Sequence, residues 1–465
     1  MMASKSNYAR MAPIRNLSET FLYWAIAVFV VKLLIIFNIQ GVNIEISGRP
    51  FFLDGVWLGA DGENYLKGYD ALSREGLFSK EEMLNYWPAG YPLVILFLSL
   101  LGKSLALTTL SIVQSFIFSY AVYFFATELS KTKLKKFAFL VFLMILFNPT
   151  LSLASIVVGY ESLLASGLLI CVGFVIRSFV TKNDKKFFKY MILSSAIFGF
   201  LSFVQPRIIL TGLFINLVWI LVYKSVKGGA FLMALSVTIT ILLPATLIYR
   251  NNQAVGIKSI SNNLGSTMNI GAGDNATGGY MLKDFGVPCN PTGTVSEKDI
   301  QVITCVVNWY LENPKKTLKL FYYKTIFFWS PWINNGFAGD VFTGTMYRNP
   351  WLDISPLNNI AKNEDGANLI FGTFGKVFSW LWLAGGLALL FYGYFILWRQ
   401  NSLERFIGNL AMVAVSTNWA ITLFTIGDHR FRVPIMGLSL FLQAIGLKTL
   451  FKGGKAPIID GPSLR

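Results

Sequence analysis

Among the titratable side chains of this 465-residue chain, ten stand out as candidates to move protons and hold anions: Asp54, Asp61, Glu63, Glu161, Arg207, Arg250, Lys324, His429, Arg430 and Arg432. A carboxylate beside a hydroxyl can take its proton as a new bond forms, and nearby cations can hold a phosphate as it departs. Asp61 suits the base role, with Asp54 and Glu63 as close competitors. Each has a second reading. Asp61 could simply cap the helix that follows it, and Glu63 could be a first-turn carboxylate favoured by the helix dipole. Arg430 and Arg432 flank Phe431 just before Pro434 and could clamp a phosphate with forked donors. They could equally snorkel at a helix end or pair with Asp428. His429, the sole histidine, reads as a loop residue, and one His among scattered acids is a poor metal signature.

These residues must be positioned by membrane elements. Hydrophobic side chains make up 54% of the chain and charged ones only 14%, which excludes an ordinary soluble protein. Apolar runs of about 20 residues, enough to cross a hydrocarbon core, recur from Thr20 onward, and in lipid they must be helices. The formal charge of +16 would suggest nucleic acid in a soluble chain. Here the cations gather in short gaps between apolar runs, as cytoplasmic loops do: Lys5, Arg10 and Arg15; Lys131 to Lys136; Lys182 to Lys189; Lys224 and Lys227; Arg399 and Arg405; Lys448 to Lys455. The fold class is therefore an all-α polytopic membrane protein with about ten transmembrane helices. It forms a single domain over residues 1–465, elaborated by two long external loops, 40–88 and 250–369.

The first run, Thr20 to Ile39, has no small-residue cleavage site after it and reads as a retained helix. It delivers a loop in which eight acids face four bases, the reverse of the cytoplasmic bias. Tyr65, Leu66, Tyr69 and Leu72 recur at helical spacing, so Asp61 to Leu72 predicts an amphipathic surface helix stopped at Gly76. Tyr91 to Leu101 is too short to cross and reads as a partial or re-entrant helix. Phe137 to Phe147 breaks at Asn148-Pro149, and Leu151 to Phe179 returns with Glu161 near its outer end. Tyr190 to Val204, Ile208 to Tyr223 and Gly229 to Tyr249 follow. The second loop predicts a helix around Ile300 to Leu311 and an interfacial aromatic stretch, Leu318 to Trp332. Three crossings close the chain: Ile370 to Trp398, Phe406 to Ile426 and Val433 to Phe451. Cys289 and Cys305 share the outer loop, where a disulfide is allowed but not dictated. Gly271-Ala272-Gly273 follows no strand and reads as a turn, and Asn275-Ala276-Thr277 has the spacing of a glycosylation acceptor. On this topology all ten functional candidates share the outer face, which suits an anionic, lipid-linked substrate.

The order of these features resembles the C-type superfamily of membrane glycosyltransferases, which includes lipid-phosphate-sugar-dependent protein mannosyltransferases and the lipid A aminoarabinose transferase. The resemblance rests on Asp61 to Tyr65 (D-x-x-x-Y), Trp87-Pro88-Ala89-Gly90-Tyr91-Pro92, Gly159-Tyr160-Glu161-Ser162 and Gln205-Pro206-Arg207. It continues in Pro244 to Asn251, in Asn269 to Tyr280 and in Arg430 to Pro434. Two departures stand out: Pro-Ala-Gly-Tyr-Pro replaces a commoner double proline, and Pro206-Arg207 reverses the usual Arg-Pro. The resemblance implies a polyprenyl- or dolichyl-phosphate sugar donor, with Asp61 as catalytic base and Asp54, Glu63 and Glu161 as supporting candidates. It implies donor-phosphate cations among Arg207, Arg250, Lys324, Arg430 and Arg432. The acceptor it implies is a lipid, glycan or protein, with no nucleic acid. Some members use a divalent metal, so a metal is neither added nor excluded. The implied location is a bacterial plasma membrane, with the site facing the periplasm or exterior. Two other functions use the same residues: a transporter or flippase of lipid-linked sugars, and a ligase or polymerase of preassembled glycans. Transporters show inverted repeats and midplane helix breaks, whereas here the polar groups crowd one face.

Overall fold

The computed structural model describes residues 17–59, 61–224, 226–280, 286–330, 373–400 and 403–451. Lys5, Arg10, Arg15, Lys452, Lys455 and residues 331–369 of the second loop lie outside the described residues. The chain is an integral, multi-pass membrane protein, and its described residues are mainly helical. Among the described residues nine helices are long and apolar enough to span a membrane, or ten if a pair bent by 59° at Asn148-Pro149 counts as one.

Helix α1 (Leu17–Asn38) leads into a hairpin of β1 (Val42–Ile46) and β2 (Arg49–Leu53), then β3 (Trp57–Leu58). Helix α2 (Gly62–Glu75) and the single turn α3 (Met83–Tyr86) complete the first loop, and the short apolar α4 (Gly90–Leu98) follows it. Spanning helix α5 (Ala106–Leu129) follows, then the bent pair α6 (Lys135–Leu146) and α7 (Pro149–Leu153), and β4 (Val157–Val158). Next come α8 (Glu161–Thr181), α9 (Asp184–Val204), α10 (Ile209–Tyr223) and α11 (Val226–Val255). The second loop holds α12 (Leu264–Ile270), α13 (Val295–Glu312) and α14 (Pro314–Trp329). Helices α15 (Thr373–Trp398), α16 (Leu403–Phe424) and α17 (Val433–Phe451) close the chain.

Most expected helices are present, with shifted ends. The returning helix expected from Leu151 instead starts at Glu161, because Asn148-Pro149, a 3-10 turn at Ala154–Ile156 and β4 occupy the preceding residues. Glu161 is thus a first-turn residue rather than one inside a span. The strands were not expected. β3 and β4 pair in parallel, Trp57 with Val157 and Leu58 with Val158, tying the first loop to the approach of α8.

Helix α8 lies at the centre, packed against α5, α9 and α17. Its small residues Ser162, Ala165, Ser166 and Gly167 let those neighbours approach closely, as at membrane helix contacts generally. Lys32 in α1 would cost about 2.5–3.5 kcal/mol at a span centre if left to lipid. It is 1% exposed, donates to Ser155 Oγ at 3.0 Å and sits 4.0 Å from the Phe118 ring centroid. The lysine therefore anchors the turn that leads into β4.

The two ends of the bundle differ. The basic turns meet at one end, where the Lys133 backbone N–H donates to Glu404 at 3.2 Å, Lys224 pairs with Asp184 at 2.6 Å and Lys448 donates to the Lys136 carbonyl. Both long loops gather at the other. There α12–α14 build a small core of their own from Met268, Ala272, Val287, Val306, Tyr310 and Leu320. A Cys289–Cys305 disulfide, with Cα atoms 6.1 Å apart, pins the chain ahead of α13 to that helix.

Candidate functional site

The parallel β3–β4 ladder sets the site's frame. Three residues beyond each strand stands a carboxylate at the mouth of a helix: Asp61 after Leu58 opens α2, and Glu161 after Val158 opens α8. The pairing register thus carries two acids, distant in sequence, to matching positions. Asp61 sits at the N-cap position of α2 but makes no side-chain capping bond. Its carboxylate instead accepts from Arg430 Nη1, and Arg430 Nε lies 3.8 Å from Glu161 Oε1. All three side chains are buried, at 5–6% exposure. A buried ion pair persists only where geometry and further hydrogen bonds offset desolvation, so the capping explanation of Asp61 falls.

Arg430 is aimed by its own turn. Asp428 caps the 3-10 turn His429–Arg432 by accepting from the Arg430 backbone N–H at 2.8 Å. With three residues per turn, residues two apart point in different directions. Arg432 accordingly faces away, donating to the Ser330 carbonyl at 3.2 Å with its guanidinium 5.7 Å from the Trp329 ring. The two arginines do not form a clamp. His429 is fully buried in this turn rather than lying in an open loop.

Arg207 joins Arg430 by another route. The 3-10 turn Pro206–Ile208 interrupts the helices and turns Arg207 onto the Phe431 ring, 3.7 Å from its centroid, with Thr422 Oγ1 at 3.4 Å. The Arg430 guanidinium lies 4.9 Å from that same ring. One aromatic ring thus carries two cations, a contact worth about 0.5–2 kcal/mol for each. Two like charges on one ring repel, and an anion beside them would relieve that repulsion. Burial leaves Arg207 Nε without a hydrogen-bond partner.

Asp61, Arg207, Arg430 and Phe431 line a cavity of about 770 Å³, with Glu161 outside its lining. Its walls include Asp61, Trp87, Tyr160, Gln205, Arg207, Tyr280, Arg430 and Phe431. Six of the seven segments that carry the family resemblance therefore contribute to this cavity or to its charged pair. Their packing has visible causes. A Cβ on Gly90 would collide with the Phe203 carbonyl, so only glycine lets α4 seat against α9. The Tyr91 hydroxyl accepts from the Gly159 N–H at 2.9 Å and holds the backbone just before Tyr160 and Glu161. The Tyr65 ring stands 5.1 Å from Tyr91, 6.0 Å from Tyr160 and 6.3 Å from Trp87. Tyr65 thereby packs against two of the cavity's lining residues, Trp87 and Tyr160. The seventh segment does something else. Arg250, 2% exposed, donates to the carbonyls of Leu77 at 3.0 Å, Leu84 at 3.3 Å and Ser79, and to the Asn85 and Asn251 side chains, each at 2.9 Å. It folds the loop between α2 and α4 and does not line the cavity.

The remaining candidates also lie apart. Asp54 is half-buried and outside the cavity, its backbone carbonyl accepting from Thr108 at 3.2 Å. Glu63 is exposed and pairs with Lys67 at 2.8 Å along α2. Lys324 is fully buried, donating to the Tyr310 hydroxyl at 2.8 Å and the Leu423 carbonyl at 2.9 Å, and burial pushes its pKa down to about 7. Glu82 and Asp299, which sequence reasoning missed, line the cavity together with Tyr86. Burial pushes the Asp299 carboxyl above its ordinary value. Among the described residues no group of three or more His, Cys, Asp or Glu is placed to hold a metal. The Arg430 guanidinium bridges Asp61 and Glu161, where a divalent ion between those two acids would have to sit. Asp61 and Glu161 as placed do not fit one between them.

No family model matches the chain, and no curated protein matches it. Among solved structures it is similar to the archaeal oligosaccharyltransferase AglB from Archaeoglobus fulgidus, in complex with an inhibitory peptide and a dolichol-phosphate. The identity is 12%, the TM-score 0.42, and the match covers 96% of this chain and 53% of that one. The chain thus spans about half the length of that structure, and a likeness at this level assigns no residue a role.

Proposed function

We propose that the protein is a membrane glycosyltransferase of the C-type superfamily. It would take a hexosyl or pentosyl group from a polyprenyl or dolichyl phosphate and deliver it to a hydroxyl of a lipid, glycan or protein. The observation that carries this reading is convergence. Segments scattered from Asp61 to Pro434, selected only by their resemblance to that superfamily, meet around one cavity with the Asp61–Arg430 pair in its wall.

In this mechanism Asp61 takes the acceptor hydroxyl's proton as the acceptor oxygen bonds to the anomeric carbon. The bond from that carbon to the phosphate oxygen breaks, and its electron pair leaves with the phosphate. Arg430 and Arg207 neutralise the charge that builds there, a role worth more in a cavity than in water. Glu161 keeps Arg430 between the two carboxylates. Placement of the site on the non-cytoplasmic face, as in a bacterial plasma membrane, is supported by the basic turns at the opposite end and by the Cys289–Cys305 disulfide, a bond of oxidising compartments.

The test is to supply purified protein in lipid nanodiscs with monosaccharide polyprenyl phosphates and candidate acceptors, then read lipid and acceptor fractions by mass spectrometry. Glycosyl transfer yields free polyprenyl phosphate and a heavier acceptor. Intact donor with movement between leaflets would mean a flippase, and consumption of a pyrophosphate-linked glycan alone would mean a ligase.

A further inference from the structure

Tyr160 carries a hydroxyl that nothing among the described residues satisfies. The residue is 2% exposed, it lines the 770 Å³ cavity, and its hydroxyl oxygen is buried without a hydrogen-bond partner. Buried polar atoms nearly always find a partner, and an orphan is costly to keep. Here the orphan stands in charged company: Arg430, Glu161, Asp61 and Arg207 all act on it electrostatically. Its position is held firmly, with the Gly159 N–H bonded to Tyr91 on one side and the ring packed edge-on to Tyr65 on the other. Burial pushes its pKa up to about 12, so at neutral pH the group remains a neutral O–H donor. A neutral donor beside two guanidiniums matches an oxyanion, which can accept from all three at once.

We propose that the Tyr160 hydroxyl donates a hydrogen bond to an oxygen of the lipid-linked phosphate, completing a three-sided anion seat with Arg207 and Arg430. This contact rests on the glycosyl-transfer reading for its role in turnover, but not for its binding. As the phosphate leaves the sugar its oxygens gain charge, so the bond strengthens in the transition state and acts on kcat as well as on affinity.

The experiment is Tyr160→Phe in the full chain, which keeps the ring and removes only the oxygen. The probes are a polyprenyl monophosphate and, as a control, the uncharged polyprenol of the same chain length. The expected result has three parts. The melting temperature holds or rises, because an unsatisfied buried group is gone. Affinity for the monophosphate falls about 10-fold or more, as for losing a hydrogen bond to a charged group, while polyprenol binding is unchanged. In the transfer assay kcat falls too. Unchanged affinity for the monophosphate would overturn the proposal, as would an equal loss for the polyprenol or a melting temperature that falls in step with binding. The two readings fail separately. A wild-type protein that transfers no sugar, yet whose Tyr160→Phe variant loses phosphate affinity alone, sinks the transferase reading and keeps the contact. A wild-type protein that transfers sugar, with a variant that binds and turns over equally well, sinks the contact alone.

Discussion

Both ends of the helix bundle bury charge, but to different effect. At the basic end Glu128 is fully buried, and its Oε1 takes Arg177 Nε at 2.9 Å and Lys131 at 2.7 Å, while the Arg177 guanidinium packs 4.5 Å from the Phe124 ring. One acid there gathers two cations whose side chains still reach solvent, at 32% and 43% exposure. At the cavity end two buried acids share Arg430, a second arginine lies on the same aromatic ring, and Arg207 Nε and the Tyr160 hydroxyl are left without partners. A buried ion pair alone therefore says little about function. Committed groups facing open space, beside donors that await a ligand, say more.

Substitutions at the two ends test that contrast. The largest effect is expected from Arg430→Gln, which leaves Asp61 and Glu161 buried without their cation. It should cost about 3–5 kcal/mol of stability and abolish transfer, read by melting temperature and by turnover per folded molecule. Glu128→Gln at the basic end should also lower the melting temperature, by less, because its cations can turn to water. Its turnover per folded molecule should stay at the wild-type level, and a loss like that of Arg430→Gln would erase the distinction between the ends. Arg207→Met should come next, weakening polyprenyl monophosphate binding about 10-fold or more with little change in stability, measured by titration in nanodiscs. Arg432→Gln should lower stability but leave phosphate affinity near wild type, since its guanidinium faces Ser330 and Trp329. Equal losses at Arg430 and Arg432 would restore the clamp.

The smallest effect concerns Lys324. Its folded-state pKa of about 7 lies below the ordinary 10.5, so between those values the unfolded chain binds more protons than the native one. Stability should therefore rise with pH through that window, and the burial penalty should be fully present below about pH 7. Lys324→Met should flatten the rise, checked by melting curves across the same pH range.

The spans were legible because twenty-residue apolar runs leave lipid only one backbone solution. The turn at Asn148-Pro149, the helix from Gly62 and the shortness of α4 were legible from local chemistry as well. The β3–β4 ladder was not: it is two residues long, and its strands are distant in sequence, so no periodicity marks it. That ladder decides where Glu161 stands, which explains why the start of α8 was misplaced. Asp61 was legible as a candidate but indistinguishable from a helix cap, since an N-cap aspartate and a cavity aspartate look alike until a partner appears. Arg250 was grouped with the phosphate cations for being an outer-face arginine. Its donors prove committed to loop carbonyls, a fact only tertiary contacts reveal. Arg432 differs from Arg430 solely through the pitch of a 3-10 turn. Phe431, written between the two arginines, was the available clue that an aromatic platform would hold a cation.

The central claim is that Asp61 acts as the base while Arg430 serves the phosphate, and the most direct measurement separates those two roles in one variant. Asp61→Asn keeps the shape and an oxygen that can still accept from Arg430. Purified Asp61→Asn should bind polyprenyl monophosphate about as well as the wild type and melt within a few degrees of it. It should lose transfer from a polyprenyl-phosphate sugar by about 10²–10⁴-fold, the scale of general-base catalysis. Wild-type turnover in that variant would contradict the account.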